Sequence, residues 1–223
     1  MSIFQILGPV MVGPSSSHTA GAVRIGGIAR QLLGEAPTRA HIWLHGSFAA
    51  TGSGHGTDRA IVAGLLGMEP DDGRIPASFG EAEKAGLAFT IETKELRDAH
   101  PNTAELELAG ASGAKVRVQA SSIGGGRIRV TRLDGVSVNF SGESNTLIVY
   151  NEDRPGLVAE VSALVAAVPA NIATLQLFRD KRGGTAVMAL EIDHALPPEA
   201  LKKIEGLDGV DKAIYIHLRG EEE

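Results

Sequence analysis

The sequence predicts an α+β protein in two parts: an N-terminal α/β domain over residues 1–143, then a ferredoxin-like βαββαβ unit over 146–220. Three observations predict it. Apolar residues recur at three- and four-residue steps directly after Gly/Ser/His-rich loops, at 22–32 and again at 61–66, which marks helices with one buried face. Between 104 and 140 the pattern changes to short alternating runs punctuated by glycines, the pattern of an antiparallel meander. After Ser141-Gly142-Glu143-Ser144-Asn145, two helical stripes interleave with four strand-like runs in the order β-α-β-β-α-β.

The first helix follows Gly13-Pro14-Ser15-Ser16-Ser17-His18-Thr19-Ala20-Gly21. A Ser or Thr before a periodic run is an N-cap, because its oxygen accepts an otherwise orphan backbone N–H. Capping needs one hydroxyl; three serines, a threonine and an imidazole at the positive end of a helix point to a site for a small carboxylate or phosphate. Ala22, Ile25, Ile28, Ala29 and Leu32 form the buried stripe, and Gly34 and Pro37 mark a turn. A strand over 39–44 then feeds a loop, His45-Gly46-Ser47-Phe48-Ala49-Ala50-Thr51, and the run Gly52-Ser53-Gly54-His55-Gly56-Thr57-Asp58. Thr57 or Asp58 caps a second helix carrying Ile61, Val62, Leu65 and Leu66. The plan repeats, so the two loops are expected to converge on one pocket. Glycines 52, 54 and 56 do not have dinucleotide or P-loop spacing; they let backbone approach a ligand or partner closely.

Further on, a short helix is expected over 78–87 and a strand over 88–93. Asp98-Ala99-His100-Pro101-Asn102-Thr103 is a loop, since a residue before proline avoids the helical region. Strands over 104–109, 115–120, 127–133 and 136–140 follow. Ser121-Ser122-Ile123-Gly124-Gly125-Gly126 separates two of them, either as a hairpin end or as a backbone nest for an anion. Residues 141–145 form the domain boundary. Beyond it lie a strand over 146–150, the turn Asn151-Glu152-Asp153-Arg154-Pro155-Gly156 with Pro155 in the first helical turn, and a stripe of Leu157, Val161, Leu164, Val165 and Val168. Strands over 172–178 and 186–192, a helix opened by Pro197-Pro198-Glu199 and ended by Gly206, and a strand over 210–218 complete the unit.

With 223 residues, 43% hydrophobic and 22% charged, the chain has room for a real core. A net charge of −6 without basic runs argues against nucleic acid as a partner, and no apolar stretch spans a bilayer. The first residues lack the basic region of a secretion signal, so a cytoplasmic location is expected. Cysteine is absent, which rules out disulfides, thiol nucleophiles and thiolate metal sites within the chain. Of the seven histidines, His41, His194 and His217 read as strand or surface residues and His45 as a satisfied core histidine. His100 is left unassigned, and the spacing of 41, 45 and 55 matches no familiar zinc pattern.

The tail, with its Asn151–Gly156 loop between strand and helix, resembles an ACT domain. That resemblance implies a regulatory module that dimerises by sheet pairing and binds an amino-acid effector near Asn151, Asp153, Pro155 and Gly156. The first part resembles the β chain of two-chain, iron–sulfur-dependent L-serine dehydratases. The residues that carry it are Gly13–Thr19, Gly52–Asp58, His100-Pro101-Asn102-Thr103 and Ser122-Ile123-Gly124-Gly125-Gly126, four motifs in one order. The same domain is similar to the allosteric substrate-binding domain of some D-3-phosphoglycerate dehydrogenases.

The resemblance implies a separate α chain whose cysteines hold a [4Fe-4S] cluster, with L-serine deaminated to pyruvate and ammonia in a pocket that this chain closes. His18 and the hydroxyls of Ser15, Ser16, Ser17 and Thr19 are then expected to bind the substrate carboxylate, and His55 to act as a polar or basic residue. Asn102 and Thr103 are further substrate-side candidates. Asp58 either orients His55 or caps its helix, and Gly124 and Gly125 are supporting. No metal ligand is expected in this chain. Two other readings remain open: a non-catalytic amino-acid sensor with a partner-docking domain, and the regulatory part of a phosphoglycerate-type dehydrogenase, which needs a nucleotide domain on the same chain.

Overall fold

The computed structural model describes residues 11–13, 15–52, 54 and 56–217. The chain divides into two units, Met1–Asp134 and Gly135–Glu223.

In the first unit, β1 (Pro37–Leu44) takes β2 (Ala88–Thr93) on one side in parallel and β3 (Thr103–Gly110) on the other in antiparallel fashion. Then β4 (Lys115–Gly124) and β5 (Arg127–Leu133) extend the sheet, giving the order β2-β1-β3-β4-β5. A parallel pair needs a long crossover, and the one between β1 and β2 includes the α-helices α2 (Gly46–Thr51), α3 (Thr57–Leu65) and α4 (Ser78–Lys84). Ahead of β1 lies α1 (Gly21–Leu33), ended by Gly34 in the left-handed region, where its N–H reaches the carbonyls of Arg30 and Gln31. Helix α1 packs on β3, β4 and β5. Strand alternation supplies the matching apolar face: Ala40, Ile42, Leu44, Leu106, Leu108, Val116 and Val118 are buried.

The opposite face carries Arg39, His41 and Trp43 of β1 beside Glu105, Glu107 and Arg117. Glu105 is only 8% exposed and takes Lys94 Nζ at 2.7 Å and Arg117 Nε at 2.5 Å. Both cations also lie over the Trp43 ring, on which His41 stacks at 3.8 Å.

In the second unit, β7 (Asn145–Glu152), β8 (Ile172–Arg179), β9 (Thr185–Ile192) and β10 (Val210–Ile216) form an antiparallel sheet in the order β10-β7-β9-β8. Helices α5 (Leu157–Ala166) and α6 (Pro198–Glu205) join them, so the ferredoxin-like order is as expected. Leu157, Val161 and Val165 of α5 meet Leu147, Val149, Met188, Leu190 and Ile204 in one apolar core. Edge strand β8 leaves Leu175 and Leu177 exposed. Strand β6 (Val136–Phe140) contacts β8 and β9.

Four expectations change. Residues 46–51 are a short helix rather than a loop, anchored by the fully buried Phe48. Strand β4 runs on through Ser121, Ser122 and Gly124, because a bulge after Ser122 keeps both serines buried, and only Gly125-Gly126 turn. Both have positive φ, 63° and 77°, as a tight two-residue hairpin demands, so the hairpin reading holds there. Pro155 stands before α5 rather than in its first turn, since Gly156 at φ 93° is the N-cap. Neither Thr57 nor Asp58 caps α3: left-handed Gly56 occupies that position without a side-chain bond, and the Asp58 carboxylate accepts the Arg59 N–H at 2.8 Å.

Candidate functional site

The Ser/His segment folds as a π-helical turn, Ser16–Ala20, running straight into α1. Ser15 is its N-cap, with extended backbone and a hydroxyl that accepts the His18 N–H at 3.3 Å. The same oxygen lies 3.3 Å from His18 Nδ1. On the far side of the ring, Nε2 lies 3.2 Å from Ser47 Oγ in the first turn of α2, and the ring meets Phe48 edge-on at 5.4 Å. The imidazole is thus held between hydroxyls from two different segments, the N-cap of the π turn and the first turn of α2. π turns of this kind concentrate at functional sites, where the extra residue shifts a side chain out of helical register.

From Ser47 the contacts pass to the third polar segment. The Pro101 carbonyl accepts the N–H groups of Ser47 at 2.8 Å and Phe48 at 3.4 Å, and the His45 N–H reaches the Thr103 carbonyl at 3.0 Å. Gly46 at φ 55° lies so close to Pro101 that a Cβ would collide with its backbone. The third segment joins the fourth, where the Ser122 N–H reaches the Asn102 carbonyl at 2.9 Å and the Thr103 and Ser121 hydroxyls pair at 2.7 Å. The fourth closes on the first. The Ser122 hydroxyl lies where a Cβ on Gly21 would stand, and Arg24 of α1 donates to the Gly126 carbonyl at 2.9 Å. Four segments spread over more than a hundred residues therefore meet in one ring of contacts.

Within this ring the predicted residues sort by exposure. Ser15, Ser16, Ser17, His18 and Asn102 are half-buried. Thr103 is fully buried, and its hydroxyl is committed to the His100 carbonyl and Ser121, which braces the loop. Thr19 is 3% exposed and packs against Gly13, with its hydroxyl unpartnered. Asn102 contributes its backbone, donating to His100 Nδ1 at 3.1 Å. No side chain added at Gly124 or Gly125 would meet a neighbour. His55, with Pro14 and Ser53, lies outside the described residues. His45 is half-buried rather than a core histidine: its Nδ1 accepts the Leu96 N–H at 3.2 Å and lies 3.6 Å from the exposed Glu95 carboxylate. Ser47 and the Pro101 carbonyl were not singled out by sequence patterning; the signal available for Ser47 was its place two residues after His45 in a Gly/Ser/His loop.

In the second unit the loop residues divide similarly. The Asp153 carboxylate takes the Gly183 N–H and Arg179 Nη1, each at 2.9 Å, and those bonds hold it below its ordinary range. Asn151 is 3% exposed, with Nδ2 on the Glu152 carbonyl and Oδ1 unpartnered. Pro155 and Gly156 are exposed. Among the described residues no group of three or more His, Cys, Asp or Glu could hold a metal ion, and no helix is long and apolar enough to cross a membrane.

Fold and site together define a two-unit α+β protein: a cluster of hydroxyls and an imidazole at the start of a helix, followed by a ferredoxin-like module. Family comparison agrees, with residues 2–85 matching the serine dehydratase beta chain family and 145–209 the ACT domain. The chain is 38% identical to the L-serine dehydratase beta chain of Peptoniphilus asaccharolyticus, over 97% of this chain and 98% of that protein. It is likewise 38% identical to a probable L-serine dehydratase beta chain of Bacillus subtilis, over 94% of each. A D-3-phosphoglycerate dehydrogenase of Archaeoglobus fulgidus is 29% identical over 88% of this chain but only 37% of its own length. The chain belongs to the serine dehydratase beta-chain family.

Proposed function

We propose that this chain is the β subunit of a two-chain L-serine dehydratase, deaminating L-serine to pyruvate and ammonia only when joined to an α subunit. The observation that carries the reading is the imidazole of His18, fixed between Ser15 and Ser47 at the junction of four polar segments. The reaction removes the serine α-proton and expels the 3-hydroxyl, a poor leaving group that needs a Lewis acid. This sequence has no cysteine, hence no thiolate for an iron–sulfur cluster. The residues here do not fit that group, and we assign a [4Fe-4S] cluster to the α subunit. What this chain supplies is binding and orientation. The polar corner of Ser15, Ser16, Ser17 and His18 takes the substrate carboxylate at the positive end of the π turn and α1. His55 is the proposed proton-handling imidazole.

The ACT unit is the proposed effector site. The buried, unpartnered Asn151 Oδ1 suits the ammonium of an amino acid, and the exposed apolar edge of β8 suits pairing with a second copy.

The test is kinetic. Assembled with the α subunit, His18→Ala and His55→Ala should each lose at least about tenfold in kcat/KM while the cluster's absorbance is retained, as expected for loss of a hydrogen bond to a charged group. Near-normal rates in both variants would show these residues to be structural. The isolated chain should be inactive.

A further inference from the structure

We propose that Ser47 is itself a substrate-contacting residue of this pocket, held by His18 so that its own hydroxyl proton is given to the substrate carboxylate. The inference rests on the reading of the pocket given above. A neutral imidazole carries one N–H and one lone pair, so hydroxyls at its two nitrogens must play opposite parts. The Ser15 oxygen already accepts the His18 N–H as the N-cap. That oxygen keeps a second lone pair, so the choice of tautomer is itself part of what we propose: Ser15 gives its proton to Nδ1 at 3.3 Å. Nε2 then bears the ring hydrogen and donates it to Ser47 Oγ at 3.2 Å.

That leaves the Ser47 proton unspent. The Thr51 hydroxyl bonds the Ser47 carbonyl, not its side chain, and among the described residues no further bond to Ser47 Oγ is found. The backbone N–H groups of Ser47 and Phe48 are both taken by the Pro101 carbonyl, so this helix start has neither amide to offer an anion. The hydroxyl is the remaining donor, on a half-buried residue that a small ligand can reach. An O–H whose oxygen accepts a hydrogen bond from an imidazole is polarised into a better donor. The ligand chemistry that fits is a small carboxylate, contacted by Ser47 alongside the hydroxyls of Ser16 and Ser17, with Ser15 and His18 acting through Ser47 rather than touching the carboxylate themselves.

Two measurements decide it. In the full β chain labelled with 15N-histidine, the long-range ring spectrum should show His18 as the Nε2–H tautomer; the Nδ1–H tautomer would overturn the proposal. In the enzyme assembled with its α subunit, Ser47→Ala should raise KM for L-serine about tenfold with kcat within about twofold, as for loss of one hydrogen bond to a charged group. Ser47→Thr, which keeps the hydroxyl, should recover most of that loss. An unchanged KM in Ser47→Ala, with His18→Ala still impaired, sinks the Ser47 assignment alone. Full turnover in His18→Ala sinks the pocket reading and this proposal with it.

Discussion

Gly64 marks the closest approach of α1 and α3: a Cβ there would collide with the Val23 carbonyl and the Gly27 N–H, just as one on Gly26 would meet the Ile61 carbonyl. Because backbone rather than a flexible side chain is in the way, Gly64→Ala should cost about 2–3 kcal/mol, read as a lower thermal midpoint of the β chain by circular dichroism. Residue patterning alone shows a glycine inside a helical stripe only as a loss of propensity, since the crossing partner is set by tertiary packing. Glu105 repeats the lesson. Alternation over 104–109 predicts that it faces away from Leu106 and Leu108, but its two cations come from distant positions, 94 and 117. Burial raises its carboxyl pKa, and the bonds and charges of Lys94 and Arg117 outweigh that and hold it below the ordinary 4.5. A depressed folded pKa means the unfolded chain binds the proton first as pH falls. The stabilisation is therefore fully present above about 4.5 and drains away as pH drops through the lower folded value. Glu105→Gln should lower stability by about 1–2 kcal/mol at neutral pH, discounted for partly exposed partners, and should flatten this acid limb in chemical denaturation run across pH 3–6.

At the level of elements, strands and long helices are readable because their periods of 2 and 3.6 survive in sequence, as β6, α1 and α5 show. The π turn is not. Its departure from the ordinary helix is a matter of which carbonyl receives the Gly21 N–H, here that of Ser16, and no residue type encodes that choice. Helix α2 escaped notice because six residues are too few for periodicity and its anchor is the Pro101 carbonyl, far along the chain. The end of β4 reads as loop in the sequence because serine is a poor strand marker; in the fold Ser121 and Ser122 are held inside by partners on other segments. The start of α5 offers a direct check. Gly156 holds φ 93°, a backbone region that costs an L-residue about 1–2 kcal/mol. Gly156→Ala should destabilise the second unit by about that amount, seen as faster amide exchange in α5 and β7, while exchange within α1 stays as it is.

For the whole molecule, composition and the four-motif order indicated the two-part plan, but the contacts that join Ser15, Ser47, Pro101 and Ser122 required coordinates, and the Gly52–Asp58 motif has no part in that ring among the described residues. Each unit has its own apolar core, one under α1 and one under α5. Removing everything after Ser144 should accordingly change assembly or effector response more than the chemical step; complete loss of turnover in a properly assembled truncated enzyme would contradict the division of labour proposed. The ring of contacts also has a consequence for biosynthesis. Its members span Ser15 to Gly126, with bonds closing 29 and 102 positions along the chain. A polypeptide still emerging from the ribosome, with Ser122 and Gly126 yet to clear the exit tunnel, can have no finished pocket however early α1 forms. A companion subunit that recognises the completed ring would thus ignore nascent fragments and bind only chains translated well past that point.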